Sequence, residues 1–289
     1  MAAAERMPGD FGQVTEQLRR STVRIVDDEG DGERGSGSGV ILDSSGLIVT
    51  NAHVVRRSRP RIELWDGRAF PAVVEARDDR RDLAALRIHT TGLRPAATGD
   101  SSRLRAGEMV LAVGNPLGFI GALTTGVVHA VGPLRGLGRR SWIQATVRLA
   151  PGNSGGPLAD ATGRVVGLNT MIVSGGLALA APSNTVVDFL KHGAAVKLGV
   201  TVRPVRTRGG GRFGLMVLEM APDSPAEAAS LLPGDILVGA NGSSFESIDD
   251  LGDALDAASG GLFVLTFLRG NNASREVTVR LQQPKSAAA

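Results

Sequence analysis

The chain of 289 residues contains no cysteine and no tyrosine, and its aromatic side chains are eight phenylalanines and two tryptophans. Without cysteine there is no disulfide framework, no thiolate metal site and no cysteine nucleophile, and redox chemistry does not constrain the compartment. So few aromatics leave little for base stacking, and the basic run Arg56, Arg57, Arg59, Arg61 reads as a solvated loop rather than a nucleic-acid surface. The net charge is only +3; the sequence pI of 10.1 partly reflects the missing groups that would titrate between histidine and lysine. No stretch of about 18 consecutive apolar residues occurs, so no membrane-spanning helix is expected. Met1 to Arg20 lack the apolar core of a signal peptide. Taken as written, the chain is expected in the cytoplasm, and in the periplasm or outside the cell if a leader has been trimmed. With 42% hydrophobic residues, this length suffices for two domains with ordinary cores.

What is present is dominated by short β-type runs broken by Gly, Pro, Asp and Ser from Thr22 to Pro182. The first half gives Thr22–Val26, Ser38–Leu42, Leu47–Thr50, Arg61–Leu64, Ala69–Ala76 and Leu83–Ile88. The second gives Met109–Val113, Leu123–Ala130, Trp142–Ala145, Pro157–Ala159, Val165–Asn169 and Leu177–Ala181. Two successive sets of six predict two packed barrels, because closure removes exposed sheet edges. Ser183 is expected to cap a short helix with Val186, Val187, Phe189 and Leu190 on one face, ending near Gly193. Residues 197–283 read as a separate α/β module: a strand over Leu198–Val202, a Gly- and Arg-rich loop at Arg206–Arg212 and a strand over Gly214–Met220. A short helix opens at Ser224-Pro225-Ala226-Glu227, and a strand covers Asp235–Gly239. A helix capped by Ser247 runs through Ala257, and a hairpin of Leu262–Leu268 with Glu276–Leu281 ends the module. This divides the chain into an N-terminal segment 1–20, domains 21–193 and 197–283, and a tail 284–289.

The run Gly152-Asn153-Ser154-Gly155-Gly156-Pro157 places one serine in a glycine-lined turn. Serine needs a base to become a nucleophile, and Thr50-Asn51-Ala52-His53-Val54-Val55 supplies the one histidine in a fitting context, leaving His89, His129 and His192 as bystanders. Asp82 leads directly into an apolar strand and is the candidate to fix the imidazole tautomer; Asp78 and Asp79 compete from the charged turn beside it. The order His53, Asp82, Ser154 is that of the chymotrypsin-like arrangement. Backbone N–H groups of Gly152, Asn153 and Ser154 are the candidate oxyanion hole. Taken alone, the serine run also fits an ordinary glycine-rich surface turn.

Together with Ser36-Gly37-Ser38-Gly39-Val40, Gly114-Asn115-Pro116 and Ile143-Gln144, these motifs resemble HtrA/DegP-type serine proteases. The stretch Leu231-Leu232-Pro233-Gly234-Asp235-Ile236-Leu237 followed by Asn241-Gly242 resembles the PDZ domains attached to such enzymes. The implied fold is mainly β: a chymotrypsin-like double six-stranded barrel followed by a small α/β PDZ domain. The implied function is an ATP-independent serine endopeptidase without metal or organic cofactor, acting on unfolded or misfolded polypeptides, with a peptide-binding chaperone or adaptor of weak or no activity as the alternative. The resemblance places the substrate pocket at Leu149, Met171 and Ile172. A pocket so lined favours small aliphatic residues before the scissile bond, because a buried cation there has no counter-charge. The resemblance likewise places a carboxylate-binding loop at Lys197, Leu198, Gly199 and Val200, with the helix from Ser247 to Ala257 as the other wall of a groove for peptide C-termini. A homotrimer is implied through Phe11, and no nucleic acid or membrane partner is expected. Three departures stand out. Thr146 occupies the place of an acidic residue ahead of the nucleophile, Pro133 occupies that of an activating arginine with Arg135 the nearest substitute, and the Asp27–Arg34 and Ser174-Gly175-Gly176 turns are short.

Overall fold

The computed structural model describes residues 11–26, 36–55, 60–134, 137–173, 176–192, 197–207, 211–258, 261–270 and 273–281. Arg56, Arg57, Arg59, Arg135, the Asp27–Arg34 turn, Ser174-Gly175 and the tail lie outside them. The chain divides into Met1–Gly193 and Ala194–Ala289.

In the first unit, Phe11–Ser21 forms a helix (α1) that the residue pattern alone did not announce. Only Val14 and Leu18, one turn apart, are buried apolar residues on it, so its apolar stripe is one side chain wide. Its polar face is tied together by Glu16, whose carboxylate accepts from Arg19 (2.8 Å) and Arg20 (2.6 Å). Those two bonds lower its pKa to about 2. Both guanidiniums lie over the Trp65 ring, 5.3 and 4.8 Å from its centroid.

Seven strands follow: Thr22–Val26 (β1), Ser36–Ile41 (β2), Leu47–Thr50 (β3), Arg61–Glu63 (β4), Ala69–Pro71 (β5), Val73–Asp78 (β6) and Leu83–Arg87 (β7), in the sheet order β5-β4-β1-β2-β3-β7-β6. The run Ala69–Ala76 thus divides in two, at Ala72, whose N–H donates to Pro60 O (2.9 Å) and carries the β4–β5 register one residue past the strand ends. Since β5 and β6 are the two edges of the sheet and one residue joins them, the chain itself draws the edges together into a barrel-like sheet. Ile25, Ile41, Ile48, Ile62, Leu64, Leu86 and Ile88 fill its interior.

Met109–Gly114 (β8), Ala122–Pro133 (β9), Ser141–Ala145 (β10), Pro157–Asp160 (β11), Val165–Ile172 (β12) and Ala178–Pro182 (β13) close into a six-stranded barrel, β10-β13-β12-β11-β8-β9. The β2–β3 and β11–β12 hairpins turn by the same device: Asp43 Oδ1 accepts from Ser45 N and Leu47 N, and Asp160 Oδ1 from Thr162 N and Arg164 N. Ser183–His192 (α2) sends Val186 and the fully buried Phe189 into a core shared by both sheets with Val40, Val49, Leu83, Leu111, Val165 and Leu168. Ser183 does not cap this helix as its position suggested. Its hydroxyl donates to Gly99 O (2.7 Å), and Ser101 Oγ accepts the Asn184 N–H instead (3.1 Å).

The second unit is an antiparallel sheet in the order β14-β15-β16-β18-β19, from Val200–Arg206 (β14), Phe213–Met220 (β15), Ile236–Ala240 (β16), Leu262–Arg269 (β18) and Ala273–Arg280 (β19). Ser243–Ser244 (β17) pairs with β16. Helix α3 (Pro225–Ala228) starts as expected: Ser224 Oγ accepts from Glu227 N (3.3 Å), and Glu227 Oε2 reaches back to Asp223 N (2.6 Å). Helix α4 (Asp249–Ala257) starts one residue later than a Ser247 cap requires, with Ile248 in the cap position. Asp250 Oδ2 takes the N–H groups of Glu246 and Ser247, and the Ser247 hydroxyl is buried without a hydrogen-bond partner among the described residues. Leu251 and Leu255 of α4 join Leu215, Leu237, Phe263 and Leu265 in the core.

Candidate active site

His53 sits in a short 3-10 turn (Ala52–Val54) after β3, and Asp82 immediately precedes β7, which pairs with β3 through Thr50 and Ala84. That pairing brings the two side chains together. Asp82 Oδ2 lies 2.7 Å from His53 Nδ1, and Oδ1 accepts the His53 backbone N–H at 2.9 Å. One carboxylate therefore fixes both the ring and its main chain, and the contact at Nδ1 leaves Nε2 as the atom that can take a proton. Asp82 holds a left-handed backbone (φ 54), which Asp tolerates better than most residues.

The competing carboxylates are otherwise engaged. Asp78 is buried and accepts from Arg81 N (2.9 Å) and Arg81 Nη1 (3.0 Å), and Asp79 pairs with Arg77 (2.7 Å). Arg77 also donates to Val55 O, next to the histidine turn. From the second barrel Arg140, stacked 4.1 Å from the Trp142 ring centroid, donates to Arg80 O (2.7 Å) and braces the turn that delivers Asp82. His89 and His129 are exposed and away from this arrangement; the His192 side chain lies outside the description.

Ser154 comes from the β10–β11 connection of the second barrel. Its carbonyl accepts from Ser38 N (2.8 Å) on β2, and its hydroxyl donates to Thr170 O (3.0 Å) on β12. No hydrogen bond joins Ser154 to His53. The Thr170 carbonyl borders the outer end of β12, beyond the pairing with β11 that starts at Leu168.

Three buried polar side chains tie this loop to the first sheet. Ser38 Oγ donates to Gly152 O (2.7 Å) and accepts from Asn115 N (2.9 Å). Asn115 Nδ2 donates to Val23 O (2.9 Å), while its Oδ1 accepts from Gly121 N (3.0 Å). Asn51 Nδ2 bridges Asp82 O (3.0 Å) and Thr170 Oγ1 (3.2 Å). Ser38 and Asn115 lie in motifs visible in the sequence, but nothing in those motifs says that their side chains cross between sheets.

The peptide planes ahead of Ser154 are fixed in turn. Pro151 O accepts from Leu117 N (3.2 Å), so the Gly152 N–H, on the opposite side of that planar peptide, faces away from the Leu117 loop. Asn153 N donates to Ala150 O (3.0 Å) and is committed within the turn, which takes Asn153 out of the candidate donor set. The Gly152 and Ser154 N–H groups have no hydrogen-bond partner among the described residues. Gly152 is required here on two counts: its φ is 102, and a Cβ would sit 2.5 Å from Asn115 O.

Of the expected pocket residues, Leu149 is half-buried against the second barrel's core, while Met171 and Ile172 are exposed at the end of β12. Thr146, in place of an acidic residue, serves the β9–β10 ladder: its Oγ1 accepts from Val127 N (2.9 Å) and its own N–H donates to Val127 O (3.0 Å). Pro133 is simply the last residue of β9, paired with Ser141.

In the second unit Lys197 is exposed and Leu198 is buried in the core, so the expected strand starts later, at Val200. Leu198 O accepts from Ala226 N (3.0 Å) and Gly199 O from Ala221 N (2.9 Å), which anchors the loop by its carbonyls. The N–H groups of Leu198 and Gly199 have no hydrogen-bond partner among the described residues. Gly199 has φ 80, and a Cβ there would lie 2.3 Å from that of Ser224. Among the described residues no group of His, Asp and Glu is arranged to hold a metal ion, and no helix is long and apolar enough to cross a membrane.

A family model described as trypsin-like peptidase domain matches residues 37–168, and one described as PDZ domain matches residues 216–269. The mitochondrial serine protease HTRA2 of Drosophila persimilis is 35% identical over 256 residues, covering 76% of this chain and 60% of its own length. The protein of the same name from Drosophila erecta is 34% identical over 285 residues, covering 86% and 67%. The chain thus spans about three fifths to two thirds of the length of the curated relatives it matches. Among solved structures, the HtrA-type protease AlgW with tripeptide is 27% identical with a TM-score of 0.67, covering 95% of this chain and 97% of that one. AlgW with decapeptide is 25% identical with a TM-score of 0.69, covering 96% and 99%. Motif order, sheet topology and kinship agree: this chain belongs to the HtrA family, trypsin-like serine proteases that carry a PDZ domain.

Proposed function

We propose that the chain is an ATP-independent serine endopeptidase with His53 as base, Asp82 as its orienting carboxylate and Ser154 as nucleophile. The observation that carries this reading is the double engagement of His53 by Asp82, together with a serine turn that leaves two N–H groups without a partner among the described residues. At rest the Ser154 hydroxyl satisfies the Thr170 carbonyl. A substrate main chain laid along the free end of β12 offers its own N–H to Thr170 O, and the released hydroxyl turns to His53 Nε2. His53 takes the proton as Oγ attacks the scissile carbonyl, and the Gly152 and Ser154 N–H groups receive the oxyanion. The protonated imidazole then donates to the leaving amine, and water, activated by the same base, frees the acyl group.

In this reading exposed Met171 and Ile172 and half-buried Leu149 receive the substrate side chain, and their apolar character suits small aliphatic side chains such as those displayed by unfolded or misfolded polypeptides. The Leu198 and Gly199 N–H groups, without a partner among the described residues and just ahead of an edge strand, suit capture of a peptide C-terminal carboxylate. Phe11, exposed on α1, is the candidate contact of a homotrimer; light scattering that gives a monomer mass removes that assignment.

A fluorophosphonate probe tests the catalytic reading. Labelling of the wild type but not of Ser154→Ala is expected, together with casein hydrolysis lost in the same variant. A wild type that resists the probe, with or without C-terminal peptides, would instead favour a peptide-binding chaperone or adaptor.

A further inference from the structure

The edge of the PDZ sheet carries a proline whose position limits what the groove can hold. Pro204 lies inside β14, opposite Leu215 of β15, and has no N–H to give. In an antiparallel ladder, alternate residues turn their N–H and C=O toward the neighbouring strand and the rest turn outward. Two bonds fix which residues of β14 face outward. Val217, the partner of Val202, directs its N–H to Asp235 O (2.8 Å) and its carbonyl to Gly234 N (2.9 Å), away from β14, so the main-chain groups of Val202 face the open edge. At the far end Thr207 N donates inward to Arg212 O (2.9 Å). The irregularity between Thr201 and Val202 skips Leu218 of β15 and leaves β14 uninterrupted. Val200, Val202, Pro204 and Arg206 are therefore the outward residues, and the third of them is the one that cannot donate.

We infer that Pro204 sets the length of peptide that the PDZ groove reads, confining it to the last three or four residues of a free C-terminus. The inference rests on the proposed capture of peptide C-termini by the Leu198–Gly199 loop. With its carboxylate on those N–H groups, a peptide runs antiparallel to β14. It exchanges both main-chain bonds with Val200 and with Val202. At the next step it finds only the Pro204 carbonyl, because the donor that would complete the pair is absent. Residues farther from the C-terminus gain no continuous ladder. The Val200 and Val202 side chains pack against the same core as Leu251 and Leu255 of α4, so the segment of β14 that can pair fully is also the segment backed by that helix.

The test uses the full chain carrying Ser154→Ala to prevent cleavage. A free-carboxylate tetrapeptide, the tightest from an array of C-terminal sequences, is compared by calorimetry with a decapeptide ending in the same four residues. In this background the two should bind within about twofold of each other. Adding Pro204→Ala should leave the tetrapeptide unchanged and tighten the decapeptide about three- to tenfold, the worth of one main-chain hydrogen bond. A decapeptide that binds tenfold tighter than the tetrapeptide before the proline is replaced overturns the inference, as does a Pro204→Ala variant that treats both lengths as before. If no free-carboxylate peptide binds better than its C-terminal amide, the carboxylate-capture reading itself falls.

Discussion

His53 is held from two directions by a single carboxylate, whereas Ser154, contributed by the other sheet, donates its hydroxyl to Thr170 and has no bond to the base. The difference follows from where each sits. His53 and Asp82 flank paired strands of one sheet, and their geometry is set once β3 and β7 align. Ser154 lies on a connection whose shape depends on Ser38, Asn115 and Leu117. One half of the constellation is joined by hydrogen bonds in the folded chain, and in the proposed mechanism substrate completes the other.

The largest effect should come from Ser154→Ala, which removes the proposed nucleophile and should lower kcat about 10⁶-fold; comparable hydrolysis by the variant would place the chemistry elsewhere. Asp82→Asn attacks the preassembled half. It should cost about 10⁴ in kcat by stabilising the wrong imidazole tautomer, with the melting temperature little changed. Ser38→Ala attacks the other half, leaving the buried Gly152 carbonyl and Asn115 N–H without that partner. A loss of about 1–3 kcal/mol of stability is expected, together with slower fluorophosphonate labelling. If calorimetry shows the stability loss but labelling keeps its rate, Ser38 supports the fold and not the nucleophile's loop.

The smallest effect concerns the turn between β11 and β12. Burial raises the Asp160 pKa, but hydrogen bonds from Thr162 and Arg164 outweigh it and the net shift is downward. A carboxylate depressed in the folded state stabilises the fold above its unfolded pKa, and that contribution is lost as pH falls through the lower folded value. Asp160→Asn should therefore lower the melting temperature at neutral pH, with the offset from the wild type beginning to shrink below about pH 4 and vanishing below the lower folded value. Equal offsets at pH 7 and pH 3 would show that charge has no part in it.

The strands were legible because most are short runs closed by a turn residue, and the three candidate triad residues could be named because each lies in a distinctive local setting. What escaped depended on distant partners. The single-side-chain stripe of α1 gives too weak a helical period to stand out beside the following strands. Ser183 and Ser247 sit where caps belong, yet one hydroxyl goes to Gly99 and the other is shut in without a partner among the described residues. The resting bond from Ser154 to Thr170 links β12 to a loop sixteen residues earlier, which no local pattern encodes. Asp78 and Asp82 could be ranked in advance by the apolar strand after Asp82, but Arg140 could not be foreseen, since its acceptor is a main-chain carbonyl.

The stacked arginines have a spectroscopic consequence. The chain has only two tryptophans, Trp65 under Arg19 and Arg20 in the first half of the catalytic unit, and Trp142 under Arg140 in the second. The PDZ unit has none, so intrinsic tryptophan emission reports on the catalytic unit alone. Single Trp→Phe replacements would divide that signal further: one reporter for the docking of the N-terminal helix, the other for the brace behind the turn that carries Asp82.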